Sequence, residues 1–430
     1  MLQLLNQLFT NSFVQIILAI TFVFYLYYLI IIILLGMTPS TKTPKPLLSS
    51  DKRELWLVVP ALNEESVIEQ TIQQLTAELK KLPPQVTGKL LIVDDHSTDA
   101  TYQLATSLTR TIQTSQTMMH SGKGEVLNTA VAYIRTQRDP ALTDRNVIIG
   151  VIDADGQISA EDLEHVLASF TRVRKLDQLD YDMVQTAVRM KKVSNGLQRA
   201  QDFEFSELNR KQQLFRNFLG FGIASGNGQF VTLHLAKQVG WGNGLLEDLE
   251  FSLRTWLAGY KTCYTDQAVV YQEAVKHFIP YVRQRIRWCA GGLQCARYLP
   301  RLYQTAISPL QKIDLTVTIL FPLLFTFVAL GNLLALVLQI VALIDAGGVT
   351  ISFGAIFGIW LVIALLMARG YQGYTAKHWL KKAAPNFLSA FISALWFQWY
   401  CLATALIPWV ALFKIITKKT AWVKTVHHKE

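Results

Sequence analysis

The chain has 430 residues, more than one small domain needs, so two or three structural units are expected. It is 51% hydrophobic and only 17% charged, with a mean hydropathy of +0.26, which excludes an ordinary soluble protein. The net charge of +10 sits largely in basic clusters beside apolar runs, the pattern of cytoplasmic membrane flanks, and argues against nucleic acid as a partner.

No charged residue precedes Lys42, and residues 13–37 form one apolar run, longer than the about 20 residues a helix needs to cross a bilayer. Without a basic n-region or a clean cleavage site, residues 1–41 are expected to be a retained anchor. Lys42, Lys45, Lys52 and Arg53 follow and place the next domain on the cytoplasmic side of the cell membrane. Residues 42–53 are rich in Pro, Ser and Thr and make a linker.

Residues 54–276 change to a globular α/β pattern. "ELWLVVPALN" predicts a buried strand, and "EESVIEQTIQQLTAEL" a helix with Val67, Ile68, Ile72 and Leu75 on one face. "KLLIVDD" predicts a second strand, "HSTDATYQLATSLTRTI" a helix, and "NVIIGVIDAD" a third strand. Such alternation predicts a parallel sheet covered by helices, with ligands bound beyond the carboxyl ends of its strands. Those ends are polar: Asn63 and Glu64, Asp94 and Asp95, Asp153 and Asp155.

Residues 277–312 mix Arg283, Arg285, Arg287, Arg297 and Arg301 with aromatic and aliphatic side chains, as expected of amphipathic helices in a membrane interface. Residues 313–413 hold three uncharged stretches, 315–344, 346–368 and 383–413, and residues 414–430 form a basic tail. Three full crossings would put that tail outside, while its lysines argue for inside. One stretch is therefore interfacial or re-entrant, or the N-terminal segment is not a simple span. The cysteines, Cys263, Cys289, Cys295 and Cys401, fit neither a zinc site nor a disulfide framework.

Asp153 and Asp155 are two apart on a strand end and share one side. Two carboxylates before a Gly turn suit Mg²⁺ or Mn²⁺ completed by substrate phosphates; the alternative is a self-capped turn. Lys123, between glycines and before a helical pattern, suits a diphosphate or is a solvated loop lysine. Glu247 and Asp248 are candidate bases or acids at a helix start. Gln284, Arg287 and Trp288 suit phosphate and sugar contacts, or a membrane-surface helix.

"VVPALNEE", "VDDHSTDAT", "GKGEVLNTA", "VIDADGQI", "LLEDLEFSLR" and "QRIRW" occur in that order. Together they resemble the family 2 glycosyltransferases of GT-A fold, and among them the membrane-embedded cellulose, chitin, hyaluronan and poly-N-acetylglucosamine synthases. The resemblance implies an α/β GT-A domain inserted between transmembrane helices, a UDP-sugar donor and a divalent metal. It implies that Pro60, Asn63, Glu64, Asp94, Asp95, Lys123, Asp153, Gln284 and Arg287 bind the donor, and that Asp155, with Asp153, holds the metal. Asp248 becomes the base of an inverting displacement, with Trp288, Gly226, Asn227 and Glu247 toward the acceptor. His96 stands where the family usually has Gly, and Leu246 where it has Thr. Trp422, Lys424 and Thr425 resemble a C-terminal element of some relatives that reaches the nucleotide pocket.

The expected reaction is elongation of a polysaccharide, secreted through the chain's own membrane region, with UDP-N-acetylglucosamine or UDP-glucose as donor and room for a small membrane partner subunit. Its alternative is transfer of one sugar to a membrane lipid or lipid-linked acceptor. A rival of another class is a non-catalytic membrane protein that binds nucleotide.

Overall fold

The computed structural model describes residues 12–43, 52–114, 122–173, 178–346, 351–378 and 385–418. Helix α1 (Ser12–Met37) precedes the α/β part. There β1 (Arg53–Ala61), α2 (Ile68–Leu79), β2 (Val86–Asp94), α3 (Thr101–Leu108), β3 (Thr111–Gln113), α4 (Lys123–Gln137), β4 (Val147–Val151) and α5 (Ala160–Ser169) alternate. The short pair β5 (Thr171–Val173) and β6 (Gln178–Asp180) leads to β7 (Met183–Met190). Helix α6 (Gly196–Phe203), a π-helical turn (Glu204–Asn209) and α7 (Arg210–Phe218) run on without a break. The domain closes with β8 (Gln229–Thr232), α8 (Leu233–Val239), α9 (Glu247–Leu257) and β9 (Thr262–Gln272).

The main sheet runs β3-β2-β1-β4-β8-β7-β9. Its first four strands are parallel, as the alternation implied, but β8 is antiparallel to both β4 and β7. The cause is local. The chain reaches β8 at the carboxyl end of β4, where Gly228 N–H donates to the Val151 carbonyl at 2.9 Å, so β8 must run back. The expected helix through "TRTI" also stops early: Thr109 is extended, and β-branched Thr111 and Ile112 pair with β2.

Strand β1 explains why its sequence reads as a continuous apolar run. Leu55, Leu57 and Val59 pack under α2 and α5, while Trp56 and Val58 pack on the opposite face against α4. A strand buried on both faces needs apolar residues at every position. Helix α4 is held close to the loop before α9, because a Cβ on Gly124 would meet the Gly242 carbonyl oxygen at 2.0 Å.

The basic amphipathic segment is α10 (Phe278–Gln294), a 3₁₀ turn (Cys295–Tyr298) and α11 (Leu299–Tyr303). Then come α12 (Pro309–Ala346), α13 (Ile351–His378), α14 (Phe387–Ala403) and α15 (Ile407–Ile416). By length and composition four stretches among the described residues suffice to cross a membrane: Val14–Met37, Pro322–Ile344, Phe353–Thr375 and Phe387–Ile416. The last is divided at residues 404–406: α14 packs on α13 and on α6, and α15 packs on the amphipathic helix α10. The third uncharged stretch is thus a broken helix. Trp422, Lys424 and Thr425 lie outside the described residues.

Gly124→Ala should destabilise the protein by about 3 kcal/mol, the scale of forced overpacking, because backbone rather than a flexible side chain stands in the way. Denaturant unfolding of the detergent-solubilised protein measures it.

Candidate active site

The strand ends, the start of α9 and the face of α10 enclose one cavity of about 390 Å³. Pro60, Glu64, Asp95, Lys123, Asp153, Asp155, Gly226, Glu247, Asp248, Gln284, Arg287 and Trp288 all line it. Asn63, Asp94 and Asn227 are not among the lining residues. Asn63, at φ 52°, accepts from Thr98 N–H at 2.7 Å. Asp94 accepts from Gln113 Nε2 at 3.0 Å, and the Asn227 amide oxygen accepts from Asp153 N–H at 3.2 Å. These three shape the loops that carry the lining residues. His96 takes the left-handed backbone at φ 59°, where a Gly was the expectation, and its Nε2 lies 3.1 Å from the Thr114 carbonyl oxygen.

Lys123 opens α4, and its Nζ reaches Asp153 Oδ1 at 2.5 Å, Gly226 O at 3.4 Å and Glu247 Oε1 at 3.9 Å. Burial opposes its charge, but the Asp153 and Glu247 carboxylates outweigh burial and raise its pKa. Gly226 has φ 75°, and a Cβ there would come within 3.2 Å of Asp248 Oδ2 and 3.4 Å of Lys123 Nζ. A side chain there would crowd Asp248 by a few tenths of an ångström and sit on a backbone conformation that L residues rarely adopt.

Asp248 is buried in the first turn of α9, where the Leu249 N–H donates to its Oδ1 at 2.6 Å. Burial pushes its pKa up, the neighbouring Glu247 charge adds to this, and Lys123 and Arg287 only partly offset it, leaving it at about 7. A carboxyl near neutrality is suited to take a proton at physiological pH. Helix α9 is anchored from behind by Glu250, which accepts from Arg297 and Tyr298 at 2.6 Å each and from Gly244 N–H at 3.1 Å.

Among the described residues no three His, Cys, Asp or Glu side chains are grouped to hold an ion. Asp153 and Asp155 fit a divalent cation as a two-carboxylate site completed by phosphate oxygens. The ammonium of Lys123 already pairs with Asp153, so this is a place built for positive charge. Asp155 Oδ2 accepts from Glu273 N–H at 2.9 Å, which fixes its orientation.

Several lining residues escaped the sequence reading: Phe205, Asn209, Arg216, Ser225, Glu273 and Thr318. Only the π-helical turn explains how Phe205 and Asn209 arrive there, and nothing in composition signals it. Thr318 belongs to α12, so the cavity extends from the strand ends to an apolar helix.

A family model described as glycosyl transferase family group 2 matches residues 148–418, and one described as glycosyl transferase family 2 matches residues 56–237. A beta-monoglucosyldiacylglycerol synthase of Synechocystis sp. is 29% identical over 320 residues, covering 69% of this chain and 61% of that protein. Another, of Nostoc sp., is 29% identical over 250 residues, covering 56% of this chain and 49% of its own length. The chain thus spans about half to three fifths of the length of these curated relatives. The mannosyltransferase PcManGT from Pyrobaculum calidifontis, solved with GDP-Man and Mn²⁺, superposes with a TM-score of 0.55 at 16% identity, covering 90% of this chain and 98% of that one. At that identity the likeness is one of fold.

Stability should report the buried acid directly. A carboxyl whose folded pKa is raised binds its proton more tightly when folded, so its ionisation destabilises the fold as pH rises from its unfolded value, about 4, through its folded one. Asp248→Asn should therefore raise the thermal midpoint at pH 8 and leave it nearly unchanged at pH 4; thermal melts at the two pH values check this.

Proposed function

The chain belongs to glycosyl transferase family group 2 and is a glycosyltransferase, and on that premise we propose that it moves a single sugar from a UDP-sugar to a hydroxyl of a membrane lipid, with inversion. The observation that carries this is one cavity joining the acid-lined strand ends, a buried base candidate and the apolar helix α12. The relatives favour the lipid alternative over polysaccharide elongation, since those above are named for a glucosyl lipid. The wall next to α12 agrees. There Arg216 is taken by Asp314 at 2.8 Å and Thr318 at 2.7 Å, so its charge is compensated and the wall suits an uncharged lipid hydroxyl better than a lipid phosphate.

In this reading the nucleotide lies along Pro60, Glu64 and Asp95, with its diphosphate toward Lys123 and Arg287. Asp155, with Asp153, holds a divalent cation that neutralises the departing diphosphate when bound. Lys123 releases Asp153 to meet the phosphate charge. Asp248 accepts the proton of the acceptor hydroxyl as that oxygen bonds to the anomeric carbon and the bond to the UDP oxygen breaks on the opposite face. One such base and no covalent intermediate turn an α-linked donor into a β-linked product. Trp288 and Phe205 give the sugar and the lipid's glycerol end an apolar face. The apolar helices keep the protein in the membrane, with the α/β domain on the cytoplasmic side.

Purified protein in vesicles containing diacylglycerol, supplied with Mg²⁺ or Mn²⁺ and each of UDP-glucose, UDP-galactose, UDP-N-acetylglucosamine and GDP-mannose, tests the reading by mass spectrometry of the lipids. The expected product is diacylglycerol bearing one hexose from a UDP donor. A polymer, use of GDP-mannose alone, or consumption of no donor contradicts it. Asp248→Asn should lower turnover at least about 10²-fold, the scale of general base catalysis. In the wild type kcat/KM should fall as pH drops below about 7, where Asp248 becomes protonated.

A further inference from the structure

A cluster lies behind the acceptor side of the cavity. Glu204, the first residue of the π-helical turn, accepts from both terminal nitrogens of Arg285 at 2.8 Å each. Tyr400, on α14, donates to Glu204 Oε2 at 2.7 Å. The guanidinium carbon stands 4.5 Å from the Trp288 ring centroid, 4.9 Å from that of Tyr281 and 5.7 Å from that of Tyr400. Arg285 Nε is buried and makes no hydrogen bond. Two carboxylate bonds and the ring faces therefore set the guanidinium plane. The Trp288 ring also meets Phe205 edge-on, with centroids 6.4 Å apart.

Arg285 does not line the cavity, whereas Trp288 and Phe205 do. Glu204 is the neighbour of Phe205 in the chain, and Arg285 lies three residues before Trp288 on the same helix face. One ion pair thus joins the two elements that supply the aromatic wall. Tyr400 ties the same pair to the broken apolar helix.

We propose that Arg285 is a positioning residue: held by Glu204 and Tyr400, it fixes the Trp288 ring at the acceptor end of the cavity, so that the seating of α14 sets how the acceptor is held. This rests on the reading of Trp288 as an acceptor contact. The donor end is separate, since Arg287, two positions on, is turned about 200° around the helix from Arg285 and reaches toward the Leu245 carbonyl at 3.5 Å.

The test uses full-length protein in vesicles and three variants: Glu204→Gln/Arg285→Met, which leaves no orphan charge, Arg285→Lys, and Tyr400→Phe. The double variant should raise the KM for the lipid acceptor about tenfold, the scale of a desolvated cation–π contact with its clamp, while UDP affinity stays within about twofold. Arg285→Lys should recover part of the loss, because it keeps the charge over the ring and loses the fork. Tyr400→Phe should show a smaller rise of the same kind. Acrylamide quenching of Trp288, taken as the difference between each protein and its Trp288→Phe counterpart, should increase in the double variant. An unchanged acceptor KM, or UDP affinity weakened by the same factor, overturns the proposal. If the wild type glycosylates no lipid, the functional reading fails on its own. The quenching difference still decides this inference, and unchanged quenching overturns it.

Discussion

An ammonium taken out of water needs counter-charges, and at this site Lys123 finds them in the carboxylates at a strand end and a helix start. Its ammonium sits among Asp153, Glu247 and Asp248, which come from different parts of the chain: the end of β4 and the start of α9. Burial and the neighbouring Glu247 charge raise the Asp248 pKa, and Lys123 offsets part of that rise. Much of the local architecture serves to bring this one side chain into place. Gly124 lets α4 approach the loop before α9, and Gly226 lets backbone pass between ammonium and base.

In the proposed reading, the same arrangement lets one cavity serve a charged donor and an apolar acceptor. The parallel half of the sheet presents its carboxyl ends and their acids on one side. The reversal at β8 brings the Gly226 loop across the end of β4, closing the charged part. The aromatic rings of Phe205 and Trp288 and Thr318 of α12 line the same cavity. On the α12 side the lining charge of Arg216 is compensated by Asp314, which in the proposed reading favours a neutral acceptor there.

Much of this was legible in the sequence because burial and charge leave strong local patterns. The all-apolar β1, the paired Asp153 and Asp155 and the acid-rich start of α9 could be read directly, and the ordered motifs named the family that the 148–418 match shows. The reversal of β8 was not legible, since a short strand carries no mark of its direction. Asn63, Asp94 and Asn227, read as ligands, do not line the cavity and hydrogen-bond to the neighbouring loops, a placement that depends on side-chain direction and not on residue type. Phe205 and Asn209 were invisible because a π-helical turn has no compositional signature. The break at residues 404–406 was hidden inside an apolar run that length alone would make a span.

The account turns on Lys123 holding the place of positive charge until a diphosphate arrives. Titration of Mn²⁺ followed by electron paramagnetic resonance, with and without UDP, tests this most directly. The account predicts weak Mn²⁺ binding to the protein alone and much tighter binding with UDP present, with the difference narrowed in Lys123→Gln because Asp153 is then released. Equally tight Mn²⁺ binding in the presence and absence of UDP would contradict it.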